Sequence, residues 1–164
     1  MESQPGWLSR LINQEEITVP MVEFSAVLDS DTGHAWSVLK QFGEIHKWHP
    51  SIVQSTIEGN QPDAIVGCVR KLVLTDGAIV RERLLAVDDR NLTLSYRFEE
   101  APLPLDNYVA TVKLEPLTGQ AKSFIKWSAS FDVRDLATAQ HYEALIRGLI
   151  VDGHNSLQEF LATS

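Results

Sequence analysis

Between Ser51 and Val133 the chain falls into six segments, SIVQSTIEGN, GCVRKLVL, AIVRERLLAVD, NLTLSYRF, NYVATVKLEP and KSFIKWSASFDV. Apolar and polar residues alternate along them with the period of two that suits a strand buried on one face. Gly59-Asn60, Asp76-Gly77, Asp89-Arg90-Asn91 and Thr118-Gly119 punctuate the run. Links this short join antiparallel neighbours, so half of the chain is committed to one curved meander.

The flanks complete the pattern. MVEFSAVLD alternates Val22, Phe24, Ala26 and Leu28 against Glu23, Ser25 and Val27 and reads as a further strand, which makes about seven in all. Ser30 or Asp31 caps a helix carrying Ala35, Trp36, Leu39 and Phe42. Ile45 and Trp48 suggest a second short helix, halted by Pro50. From Asp135 onward there is no proline, and Leu136, Ala139, Tyr142, Leu145, Ile146, Leu149, Ile150, Leu157, Phe160 and Leu161 mark one face of a long helix that Gly148 and Gly153 weaken locally. The order strand, two short helices, six strands, long helix defines an α+β architecture. Its 164 residues suit one domain. Trp7, Leu8, Leu11 and Ile12 form a helical stripe before the first strand, so residues 1–19 read as an N-terminal extension and 20–164 as the domain.

Charge and cysteine content remove several classes of function. Fourteen Lys and Arg against 22 Asp and Glu give a formal net charge of −8, with the cations scattered, so nucleic acid and anionic bilayers are repelled. Cys68 is the single cysteine, which excludes an internal disulfide framework and a cysteine-based zinc cage, and it reads as an inert thiol in mid-strand. The first residues lack a basic or apolar leader, and no run of about 18 apolar residues occurs. A cytoplasmic protein without membrane insertion is the expectation.

The hairpin around LTDGA carries the most chemistry. A three-residue loop Thr75-Asp76-Gly77 pairs residue 74 with 78, 72 with 80 and 70 with 82. Cys68, Leu72, Leu74, Val80 and Leu84 then share a face, with Lys71, Arg81 and Arg83 opposite. The apolar face must look inward and takes Arg70 and Glu82 with it. Two interior charges suit either a mutually bonded structural pair or a hydrated, ligand-filled cavity. An arginine opposite a glutamate lowers the carboxyl pKa and makes Glu82 a poor base. The same alternation turns Leu92, Leu94, Tyr96 and Phe98 inward, then Tyr108, Ala110, Val112 and Leu114, then Ile125, Trp127, Ala129 and Phe131. Buried Tyr96, Tyr108 and Trp127 need partners for their polar tips, supplied by one another, by the charged pair or by a guest. EEAPLPLDNY, with two prolines, reads as a stiff loop or a lid.

The segments FGEIHKWHPSI, VRKLVLTDGAIVRERL, YRFEEAPLPLDNYVATVKLEP and IKWSASF, in this order and spacing, resemble the polyketide cyclase/dehydrase branch of the START-like (SRPBCC, Bet v 1-like) helix-grip superfamily. The likeness covers nearly the whole chain after Pro20. It implies a helix-grip fold, a curved antiparallel sheet wrapped around the C-terminal helix with a deep, mostly apolar cavity between them. In that family the positions matching Trp48, His49, Arg70, Glu82, Tyr96 and Tyr108 line or close the cavity. Members bind lipids, sterols, polyketides or plant hormones, and a few catalyse aromatic cyclisation.

FGEIHKWHPSIVQS can be placed against that resemblance. A metal site wants three or more converging ligands, whereas the local acid near His46 and His49 is Glu44 alone. No serine stands in a strained strand-to-helix elbow, so a Ser-His-Asp site is not expected either. The motif reads as a corner at the cavity mouth, where Trp48 supplies apolar area and His49 a titratable tip acting between about pH 5 and 8, or only caps the fold. The expected ligand-binding set is Trp48, His49, Arg70, Leu72, Glu82, Leu84, Tyr96, Tyr108, Trp127 and Leu149. The function expected is non-catalytic carriage or sensing of a small hydrophobic ligand by a monomer or homodimer, without cofactor or metal. The alternative is a cyclase or dehydratase in which His49 or Glu82 moves a proton.

Overall fold

The computed structural model describes residues 19–164. The helical stripe at Trp7–Ile12 and the rest of residues 1–18 lie outside the described residues. Seven strands, β1 (Met21–Leu28), β2 (Ile52–Ile57), β3 (Val69–Leu74), β4 (Ile79–Asp88), β5 (Thr93–Glu100), β6 (Leu105–Pro116) and β7 (Ser123–Val133), form one antiparallel sheet. Their spatial order is β1-β7-β6-β5-β4-β3-β2. The first two strands in the chain therefore stand at opposite edges. Helix α1 (Thr32–Leu39) and a 3-10 segment (Phe42–Lys47) carry the chain from one edge to the other, and α2 (Ala139–Thr163) follows β7.

Local chemistry explains these elements. Of the two candidate caps for α1, Asp31 does the capping, its side chain accepting from the His34 amide at 2.9 Å. Trp36 Nε1 donates to Asp89 Oδ1 at 2.8 Å, which ties α1 to the β4–β5 turn. The expected second helix is 3-10 rather than α, and Glu44 at φ −110° breaks its helical geometry. Gly43 explains the tightness there. Its amide donates to both oxygens of Asp63 at 3.0 Å, and a Cβ at that position would stand 2.7 Å from Ile57 Cγ1.

The β3–β4 hairpin has the expected register, Arg70 opposite Glu82 and Leu72 opposite Val80, with Leu74 N donating to Ala78 O at 2.9 Å. Gly77 supplies the left-handed residue at φ 85°. The β2–β3 link differs from the expected tight turn. Gly59 and Asn60 are both left-handed, but the chain continues through residues 61–68 before pairing resumes. Cys68 accordingly lies just before β3 instead of in mid-strand, still buried, with its carbonyl accepting from Leu84 N at 2.9 Å.

Helix α2 runs unbroken through Gly148 and Gly153 and buries Ile146, Gly153, His154, Leu157 and Leu161. Among the described residues its strand contacts are chiefly with β1 and β7, so it lies toward that side of the concave sheet. Two large core clusters meet at Tyr96 and Ile150, which pack against both. Leu136 precedes α2 and is 82% exposed, so the apolar stripe begins later than the sequence spacing suggests.

Candidate functional site

The register of β3 and β4 sends Arg70 and Glu82 inward, and both are buried, at 4% and 5% exposure. Arg70 Nε donates to Glu82 Oε1 at 3.2 Å, and its Nη1 donates to the Phe42 carbonyl at 2.9 Å. The Phe42 ring centroid lies 3.8 Å from the guanidinium carbon and the Tyr96 centroid 4.7 Å, so two aromatic rings pack against the group. Among the described residues Glu82 Oε2 and the Tyr108 hydroxyl have no hydrogen-bond partner, and Arg70 Nη2 is engaged neither by Glu82 nor by the Phe42 carbonyl. Among the described residues no side-chain polar atom sealed from solvent lacks a partner.

The expectation that Arg70 lowers the Glu82 pKa is overturned. Burial pushes the carboxyl up, and the neighbouring guanidinium only opposes that shift. Burial, reinforced by Glu82, likewise raises the Tyr96 hydroxyl to about 12, and burial drives Tyr108 well above its ordinary value. Both phenols are neutral donors at physiological pH.

Beside the charged pair stands a flat aromatic wall. Phe98 and Tyr108 stack with centroids 3.8 Å apart and planes 8° apart, and Tyr108 lies 6.2 Å from Phe131 at 23°. Tyr96 and Phe98 are partly buried and pack against the second core cluster.

The KWHP corner closes the space from the β2 side. Trp48 approaches Trp127 at 6.4 Å between centroids, and Trp127 Nε1 donates to His154 Nδ1 at 3.2 Å. His154 therefore carries its proton on Nε2, and burial lowers its pKa. His49 Nδ1 accepts from the Ser51 amide at 3.3 Å, and its ring lies against α2 at Gly153. A Cβ on Gly153 would stand 3.1 Å from His49 Cδ2 and Nε2. Burial lowers the His49 pKa to about 4, Arg70 adds to the shift, and Asp152 offsets part of it. His49 is thus neutral at pH 7.

His46 faces elsewhere. Its Nδ1 lies 2.8 Å from Ser55 Oγ, and the Ser55 hydroxyl donates to the Gly43 carbonyl. With that proton committed to a carbonyl, His46 must be the donor, the reverse of what activates a serine. Among the described residues no three His, Cys, Asp or Glu side chains converge as a metal set.

Nine of the ten expected residues gather on the concave side. Trp48, Leu84, Tyr96 and Trp127 share one apolar cluster, Leu72 packs with Trp48 and Phe98, and Tyr108 belongs to the second cluster. Leu149 does not join them. It is 40% exposed and joins no core cluster, because the buried stripe runs through Ile146, Ile150, Gly153 and Leu157 and leaves 149 to one side. Phe42, Gly153 and His154 belong to the site although their residue types alone did not mark them. The signal for His154 is its spacing between Ile150 and Leu157 on the apolar face.

The family model described as polyketide cyclase / dehydrase and lipid transport matches residues 21–160. The chain belongs to this family. Solved structures agree with the family's fold. Protein XoxI from Bacillus cereus has a TM-score of 0.75 at 26% identity, with 87% of this chain and 95% of that one covered. A protein from Thermobifida fusca gives 0.76 at 26%, covering 88% and 94%. Norcoclaurine synthase from Thalictrum flavum, solved with dopamine and hydroxybenzaldehyde, gives 0.72 at 18%, covering 99% and 95%, a likeness of fold alone. For this polyketide cyclase/dehydrase family member, the helix-grip architecture and the inward Arg70–Glu82 pair occupy the same concave face.

Proposed function

We propose that residues 20–164 hold one small hydrophobic or amphipathic molecule, of lipid, polyketide or aromatic type, between the concave sheet and α2, and carry or sense it without changing it chemically. The observation that carries this reading is the buried Arg70–Glu82 pair on the concave face, beside the Phe98–Tyr108 stack. Family membership supports it. In this reading Trp48 packs on the guest and the KWHP corner, resting on Gly153, acts as the gate. The protein works in the cytoplasm; among the described residues no helix is long and apolar enough to cross a membrane.

A titration with Nile red, an uncharged apolar dye, tests the reading. Saturation at one dye per chain is expected, and Trp48→Ala should weaken binding by about 2 kcal/mol, as for a buried aromatic anchor. A dye signal that never saturates overturns it. Native mass spectrometry of freshly purified protein would then identify any natural guest and show whether it leaves unaltered.

A second reading is favoured by the raised pKa of Glu82, because a buried carboxyl with upward-shifted pKa is better matched to proton transfer near neutrality. In that case the protein is a cyclase or dehydratase with Glu82 as the proton-transfer group and Arg70 polarising a carbonyl. Turnover of a poly-β-ketone by the wild type, lost by on the order of a hundredfold or more in Glu82→Gln with binding retained, would establish it.

A further inference from the structure

The buried residues contain one positive and one negative side chain. Among the described residues the buried polar groups are Ser30, Ser55, Arg70, Glu82, Ser123 and His154, of which Arg70 and Glu82 alone bear full charge. His49 and the two tyrosines near the pair are neutral at pH 7. Paired at 3.2 Å, these two charges cancel one another among the described residues before any ligand arrives. A carboxylate entering this space would find its natural partner, Arg70, already neutralised, and would stand beside the second oxygen of Glu82 in a poorly hydrated site. An ammonium group would meet the mirror-image problem at Arg70.

The hydrogen-bonding geometry points the same way. Glu82 takes Arg70 Nε and the Phe42 carbonyl takes Nη1, so the edge of the guanidinium that neither of them engages is Nη2. That edge donates. Glu82 Oε2 accepts, and the Tyr108 hydroxyl can do either. A hydroxyl or carbonyl oxygen satisfies such a set without adding charge, while a flat apolar body extends along Phe98 and Tyr108. Resting on the binding function proposed above, we infer that the site selects uncharged ligands bearing a hydroxyl or carbonyl oxygen over carboxylates and amines of the same shape, and that Glu82 is the residue that enforces the exclusion of carboxylates.

The test uses three probes of one shape on the full chain at pH 7: 2-naphthylmethanol, 2-naphthoate and 2-naphthylmethylammonium, each competed against Nile red. The alcohol should bind about tenfold or more tightly than either ion. In Glu82→Gln the unbalanced Arg70 should reverse the order, with naphthoate gaining about tenfold and overtaking the alcohol. Any dry cavity disfavours ions to some degree, so an unchanged preference in Glu82→Gln would overturn the role given to Glu82. Naphthoate or the ammonium binding wild type as tightly as the alcohol would overturn the inference while leaving the binding function standing. Should Glu82→Gln fail to fold, the three wild-type affinities still decide the preference for uncharged ligands, and Glu82→Met takes its place in testing the role of Glu82. Failure of Nile red itself to saturate would instead strike the binding function.

Discussion

Gly148 and Gly153 sit one and a half turns apart in α2, and alanine at each should behave oppositely. Nothing stands within 4 Å of a Cβ at Gly148, so Gly148→Ala should stabilise the fold by about 0.4–1 kcal/mol, the ordinary gain for a helix interior. At Gly153 the new methyl meets the His49 ring at 3.1 Å. Gly153→Ala should lose that gain and speed ligand release, read by urea unfolding and stopped-flow dye displacement. His49 supplies a second outcome at this scale. Its folded pKa of about 4 lies below the unfolded value near 6.5, so the unfolded chain takes up the proton first. Stability is full above about pH 6.5 and falls as pH drops toward 4, by at most about 3 kcal/mol, with His154 adding in the same direction. His49→Gln should flatten that fall in urea midpoints measured at pH 7 and pH 5. The window lies lower than the pH 5 to 8 expected from an ordinary imidazole. A sequence names the histidine and the glycine but not their contact, which sets both the burial and the shift.

The β3–β4 hairpin was legible in its sequence because Asp76-Gly77 fixes a loop length and the loop length fixes the register. Once the register is set, alternation alone sends Arg70 and Glu82 inward. Depth was not legible, which is why the arginine beside Glu82 suggested a lowered pKa while burial raises it. Removing one partner of a sealed pair costs about 3–5 kcal/mol. In the binding function proposed above the cavity solvates the survivor, so Arg70→Met should cost clearly less than that in urea unfolding, and a loss at the full value would mean a dry pair. The KWHP corner and the β2–β3 connection were harder to read. Pro50 marks where the helix stops, yet nothing in the spacing distinguishes a 3-10 turn from an α-helical one, since Gly43 and Asp63 impose it from a distance. The link after Gly59-Asn60 looks like a hairpin turn until the register with β3 shows otherwise.

Across the whole molecule, the α+β order and the helix-grip likeness were readable because seven strands and one long helix leave few ways to bury a single sheet face. Where α2 lies on that sheet was not readable, as Leu149 shows: an apolar residue on the expected stripe proves exposed because the helix leans toward β1 and β7. The strand order has one more consequence, for the path by which the chain folds. Strands β2 to β7 pair with their sequence neighbours, whereas β1 pairs with β7, Met21 opposite Ser130, across almost the entire domain. The expected order is local hairpins first and the β1–β7 ladder with α2 last, since a distant contact forfeits the most chain entropy before it is rewarded. During synthesis β1 emerges first and waits for β7 with its apolar residues Val22 and Leu28 uncovered. Val22→Ala should therefore speed unfolding while barely changing the folding rate in stopped-flow experiments, and Gly77→Ala, strained at φ 85°, should slow folding itself.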